Sequence, residues 1–330
     1  MKRVLFLVVL LVICGVEARP QEQEDVIRVE SDLTNLPFTA TDKDHRFVTT
    51  LRAEDVRVLE DGVPQTLFTF QRETDRALAI AFLIDVSASQ ESVLPDEKAA
   101  ARLFMENVIK SDRDQVSILP FTGQAYLEQG MTRDLLSVYR VLQQVEVAAP
   151  TYLGSGRPLS GIPTGPRLPA TPSDGSTAIW DALALTSTDV LTKAPGLRRR
   201  AIILLTDGFD TTSRLLPKEA VNAALAAETV IYAIGIGDSK RYYGVNRGPL
   251  RDVAERTGGR AFFPDKKFDL NAAFAEIEHE LRTQYLIAYS STNKKRDGAY
   301  RKIEIEITNP ELRNQKLQLR HRPGYFAKKS

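Results

Sequence analysis

The sequence predicts an α/β protein: a doubly wound, mostly parallel sheet, with a small β-sandwich formed from the N- and C-terminal flanks. Three observations predict it. Between Leu78 and Thr283, apolar runs of strand length alternate with segments of helical period, the pattern of buried strands covered by helices on both faces. At both ends of the chain only short alternating runs appear, separated by polar turns. Proline and glycine punctuate the middle region where helices should start and stop.

The chain divides into four parts. Residues 1–18, MKRVLFLVVLLVICGVEA, set Lys2 and Arg3 before an apolar stretch from Val4 to Val16, with Val16 and Ala18 as small residues at cleavage positions. This reads as a secretory signal cleaved after Ala18; an uncleaved signal anchor is the alternative and the only membrane attachment the sequence suggests. Cys14 is the single cysteine, so cleavage would leave no thiol for a disulfide, a cysteine zinc site or thiol catalysis. Residues 19–77 carry VIRVE, LPFTATD, DVRVLEDG and QTLFTFQRE, read as strands, with Asp61-Gly62 as a hairpin turn.

Residues 78–283 form the α/β domain. LAIAFLID, DQVSILPFT, RAIILLTDG, TVIYAIGIG and RAFFPD read as its strands. DEKAAARLFMENVIK, RDLLSVYRVLQQV, TAIWDALALTSTDVL, PKEAVNAALAAE, GPLRDVAERTG and FDLNAAFAEIEHELRT read as its helices. Pro95 and Pro217 mark helix starts, and Gly258-Gly259 marks an end. The stretch 149–176 is rich in proline and glycine and too long for a plain connector. Residues 284–330 return to strands, QYLIAYSS, AYRKIEIEIT and QKLQLRH, with a turn at Asp297-Gly298. Neither flank alone has enough strands for independent stability, so the two are expected to pair with each other.

With 44 Lys and Arg against 43 Asp and Glu, and a mature chain near neutrality, nothing suggests a nucleic-acid partner. The informative residues sit at strand tips. Asp85 ends the first apolar run and is followed by Ser87 and Ser89; Asp207 ends another. In an open α/β sheet, sites form at the carboxyl ends of strands where the strand order reverses. If the segment stays extended, the oxygens of residues 85, 87 and 89 point one way. Joined by Thr177, two carboxylates and three hydroxyls make a hard-oxygen set suited to Mg²⁺, with Mn²⁺ or Ca²⁺ as alternatives. The competing reading is that these residues merely cap turns and helices.

The set DVSAS, Thr177 in DGSTAIWDAL and Asp207 in LLTDG resembles the metal-ion-dependent adhesion site of von Willebrand factor type A domains. The flanks further resemble secreted bacterial proteins called VWFA-related, known especially from Acidobacteria. The resemblance implies a dication held by Asp85, Ser87, Ser89, Thr177 and Asp207, with one coordination position left for an acidic side chain of a protein partner. Ala88 and Gln90 depart from the residues common at those positions, and neither is a ligand type. The expectation is a secreted or envelope binding protein and not an enzyme; the alternatives are a metal-dependent hydrolase at the same site or an assembly scaffold with a vestigial one. His45, His279 and His321 are scattered, and His279 lacks the second histidine of a zinc-protease helix. Trp180 reads as a packing residue, Asp181 as support for the site, and Arg198–Arg200 as a solvated turn.

Overall fold

In the N-terminal flank, β1 (Leu33–Thr41), β2 (Val56–Glu60), β3 (Val63–Gln65) and β4 (Leu67–Arg72) form where the alternating runs predict strands. Asp61 and Gly62 both take positive φ, 49° and 79°, the backbone a tight two-residue hairpin needs between β2 and β3. The computed structural model describes residues 33–72, 76–110, 112–148, 176–194, 199–237, 244–265 and 267–329. The signal segment 1–18, the stretch 19–32 and all of the loop 149–176 except Ser176 lie outside the described residues.

The α/β region follows as β5 (Leu78–Asp85), α1 (Leu94–Val108), β6 (Gln115–Phe121), β7 (Gln129–Thr132), α2 (Leu135–Gln144) and α3 (Ile179–Leu185). Then come β8 (Arg199–Thr206), α4 (Pro217–Ala226), β9 (Thr229–Gly235), α5 (Arg247–Arg256), β10 (Ala261–Phe262) and α6 (Lys267–Thr283). Pro217 opens α4, Pro95 sits in the first turn of α1, and Gly258, at φ 90°, follows α5. Beyond Leu185 the α3 helix widens over Thr186–Val190, where Thr186 and Ser187 hydroxyls donate to the carbonyls of Ala182 and Leu183. Such back-bonding competes with the regular ladder.

Six strands make one sheet in the order β10-β9-β8-β5-β6-β7. All pairings are parallel except β6 with β7. Every residue of β5 is buried, and its alternation sends Ile80, Phe82 and Ile84 to one face and Ala79, Ala81 and Leu83 to the other. The first face packs on α1, α2 and α6; the second packs on α3, α4 and α5. Phe82, Phe104 and Phe274 join β5, α1 and α6, with ring centroids 5.2 to 6.4 Å apart. Burial on this scale, at roughly 25 cal/mol per Å² of apolar surface, holds the central strands rigidly in place.

The C-terminal flank adds β11 (Tyr285–Ser290), β12 (Tyr300–Ile307), α7 (Pro310–Asn314), β13 (Gln318–His321) and β14 (Gly324–Phe326). These strands combine with the N-terminal ones into two antiparallel sheets, β13-β1-β11-β4 and β14-β12-β2-β3. Buried residues of both sheets, among them Phe38, Val58, Tyr285, Ile287 and Ile303, form a single apolar cluster. Contacts group residues 33–330 as one unit. Among the described residues, no helix is long and apolar enough to cross a membrane.

One local expectation needs correction. Arg199 and Arg200 are not a solvated turn: they open β8, Arg199 is buried, and Arg200 donates to the carbonyls of Leu191 and Ala227. Parallel pairing with β5 starts at this end of β8, and the carbonyls that hold Arg200 belong to the connections before β8 and before β9. Arg198 lies outside the described residues.

Candidate metal centre

The strand order reverses at β5. From β5 the chain goes first to β6 on one side, then returns to β8 on the other. Ile84 pairs with Leu205, so the tips carrying Asp85 and Asp207 lie side by side at that reversal. This is where a doubly wound sheet leaves a crevice.

Asp85 has no exposed surface. One carboxylate oxygen, Oδ2, accepts from Thr206 Oγ1 at 2.6 Å, and Oδ1 accepts from the Ser87 backbone N–H at 2.9 Å. Burial pushes its carboxyl up to about 6, and the charge of Asp207 adds to this; bonds from Ser87 and Thr206 pull the other way. Asp207, also buried, accepts from Phe209 N–H at 3.1 Å, while its own carbonyl accepts from Asn246 N–H. No ion pair among the described residues involves either acid.

The two serine hydroxyls lie 2.9 Å apart. Their convergence does not come from an extended segment, as the alternation predicted. Ser87 is extended, but Ala88–Gln90 forms a 3-10 turn, closed by Gln90 N–H on the Ser87 carbonyl. The turn brings residue 89 back over residue 87. Gln90 is fully buried and donates from Nε2 to Ser89 Oγ at 3.3 Å.

Thr177 is held from both sides of the β5 tip. Its N–H donates to Thr211 Oγ1 at 2.8 Å, and its carbonyl accepts from the N–H groups of Thr211 and Thr212. The next residue, Ala178, donates its N–H to the carbonyl of Thr122, just beyond β6. Because β5 lies between β6 and β8, the segment at Thr177 is strapped across it. The start of α3 is capped from the loop after β8: Asp210 Oδ2 accepts from Ile179 N–H at 2.7 Å, and Ser213 Oγ accepts from Trp180 N–H at 3.0 Å. In return Asp181 accepts from the N–H groups of Arg214 and Leu215, and Trp180 is packed in the core.

Sequence reasoning missed Thr206, Asp210, Thr211 and Ser213. The dense run TDGFDTTS was the available signal, since so many short polar side chains in a row have backbone groups to satisfy. It also missed Glu97, a charged residue at an apolar position of α1. The histidines stay apart from the five residues: His45 lies between β1 and β2, His279 is on α6 against Phe47, and His321 is in β13.

The donor set fits a hard dication in kind. It consists of oxygen alone, and its two buried carboxylates bring a repulsion that a cation would relieve. Among the described residues, no three His, Cys, Asp or Glu side chains gather closely enough to hold a metal ion. An ion here would rest on hydroxyls and water as much as on acids.

Residues 167–277, about a third of the chain, match the von Willebrand factor type A domain family. The match takes in Thr177 and Asp207; Asp85, Ser87 and Ser89 precede it. No curated protein matches the chain. Similar solved structures include the conserved hypothetical protein BatB from Bacteroides thetaiotaomicron, at 19% identity and a TM-score of 0.46, covering 62% of this chain and 97% of that one. Proximal thread matrix protein 1 from the mussel byssus, solved with a zinc-occupied MIDAS motif, is similar at 20% identity and a TM-score of 0.47. That alignment covers 66% of this chain and 49% of the mussel protein, so the chain spans about half its length. A von Willebrand factor type A protein from Catenulispora acidiphila is similar at 12% identity and a TM-score of 0.48, over 86% of this chain and 71% of that one. At such identities and scores the likeness is too distant to transfer a ligand.

Proposed function

We propose that this chain is a secreted or cell-envelope binding protein, of the bacterial VWFA-related kind, that uses a divalent cation to engage an acidic group of a protein partner. Mg²⁺ is the preferred ion, with Mn²⁺ and Ca²⁺ as alternatives, and Asp85, Ser87, Ser89, Thr177 and Asp207 are the residues that would hold it. The observation that carries this reading is the adjacency of the β5 and β8 tips with Thr177 strapped across them. The family match over 167–277 adds to it.

Within such a site the chain's own residues divide the work. Thr206 and the Ser87 N–H orient Asp85, Gln90 steadies Ser89, and Thr211 fixes Thr177. A bound dication, balanced by two carboxylates, would supply a coordination position that attracts a third from outside. Binding without turnover is preferred here to hydrolysis at the same site, and turnover of a phosphate or peptide substrate that requires Asp85 and Asp207 would reverse that preference. Export follows from the character of residues 1–18.

Titration calorimetry with Mg²⁺ and with Mn²⁺ tests the site. Asp85→Ala and Asp207→Ala are each expected to abolish binding while leaving the circular dichroism spectrum of the wild type. Unchanged affinity in both variants would refute the proposal. Pull-downs from envelope and secreted fractions, with Mg²⁺ and with EDTA, should then recover partners that chelation removes.

A further inference from the structure

The sheet-facing stripe of α1 consists of Leu94, Glu97, Ala100, Ala101, Phe104, Met105 and Val108. All but one are apolar. Glu97 is only 1% exposed, and neither of its carboxylate oxygens has a hydrogen-bond partner. A carboxylate in that condition is worse than an apolar side chain of the same size, so the metal-free protein offers no reason for it. Burial pushes its carboxyl well above the usual range, and the charges of Asp85 and Asp207 push it the same way.

Its position suggests a reason. Helices that follow parallel strands run back along the sheet, so the first turn of α1 lies at the edge where β5 and β8 end. Glu97 belongs to that turn and faces the sheet. It is therefore on the inner side of the crevice, within electrostatic reach of both aspartates yet not grouped with them as a direct third ligand. The amino end of a long helix also favours negative charge there.

Resting on the cation site proposed above, we infer that Glu97 is an internal counter-charge of that site, one that tightens the hold on the dication and weakens its pull on an acidic partner. Two ionised aspartates balance a dication. Burial keeps a proton on Glu97 while the site is empty, and a bound dication favours its release; the third carboxylate then overbalances the ion, so it is held more firmly and the open coordination position attracts an outside carboxylate less. The two effects have opposite signs, which a purely structural role for Glu97 would not produce.

The test uses the full mature chain, Mn²⁺ as the metal and acetate as the carboxylate. Mn²⁺ affinity is read by electron paramagnetic resonance, and acetate binding to the loaded protein by relaxation of its methyl protons. Glu97→Gln is expected to weaken Mn²⁺ binding by at least about tenfold and to tighten acetate binding several-fold. Glu97→Met, which restores an apolar stripe, should behave alike and guards against a folding defect in the first variant. A loss of Mn²⁺ affinity smaller than about tenfold, or acetate binding unchanged or weakened, overturns the inference. Asp207→Ala separates the two readings. If it loses Mn²⁺ while Glu97→Gln keeps it, the inference about Glu97 fails alone; if the wild type takes up no Mn²⁺, both fall.

Discussion

Asp85 is held between two hydrogen bonds and a neighbouring acid with no exposed surface. Its folded value of about 6 stands above the ordinary 3.8. Between those values the folded state keeps a proton that the unfolded state has released, so this stabilising contribution is present in acid and is lost as pH rises through about 6. Keeping the buried carboxylate ionised at neutral pH costs about 3 kcal/mol, since each tenfold change in proton affinity is worth about 1.4 kcal/mol. Glu97, raised by burial, acts in the same direction. The expected outcome is that Asp85→Asn gains stability over the wild type at pH 7 and little or none at pH 4, in urea unfolding with EDTA present. A gain of the same size at both pH values would contradict the assignment. Asp207→Ala should likewise be no less stable than wild type in EDTA, because it removes one of the two repelling charges; a marked fall in melting temperature would speak against that.

At the scale of elements, the site depends on how strands and helices end. The chain leaves β8 through Gly208 at φ 81°, and a side-chain carbon there would lie 2.7 Å from the carbonyl oxygen of Asn246. Gly208→Ala should therefore cost more than about 1 kcal/mol and displace the Asp207 segment, lowering both melting temperature and Mg²⁺ affinity. Wild-type values for both would refute it. The strands β5, β8 and β9 were legible as apolar runs because both faces of the sheet are covered. By contrast β7, the antiparallel edge strand Gln129–Thr132, was not legible: it is four half-buried residues with a glycine and no strong period. The 3-10 turn at Ala88–Gln90 was missed for a related reason, since three residues carry too little pattern to tell a turn from an extended strand.

In the whole molecule, the two flanks depend on each other. β1 lies between β13 and β11, and β2 lies between β12 and β3, so each main N-terminal strand needs a C-terminal partner. Buried Glu60 ties them further, accepting from the hydroxyls of Tyr289, Ser291 and Tyr325. A chain ending at Thr283 should lose residues 33–72 to limited proteolysis while the region from Leu78 onward resists. Equal protection of both regions in the shortened chain would show that the N-terminal strands stand without those partners.

The sequence by itself determined the class of each long element and the residue at each strand tip, because burial on two faces, on one stripe or on alternate positions leaves a distinct period in the chain. Asp85 and Asp207 could be read in that way as the ends of buried runs, whereas Ser87, Ser89 and Thr177 were singled out by residue type and by the resemblance. Only the tertiary structure decided that β5 neighbours β8, that Thr211 and Thr122 hold the Thr177 segment across their tips, and that Glu97 faces the same crevice. A period records how much of a residue is buried but not against what; the partner is chosen by packing across long separations in sequence.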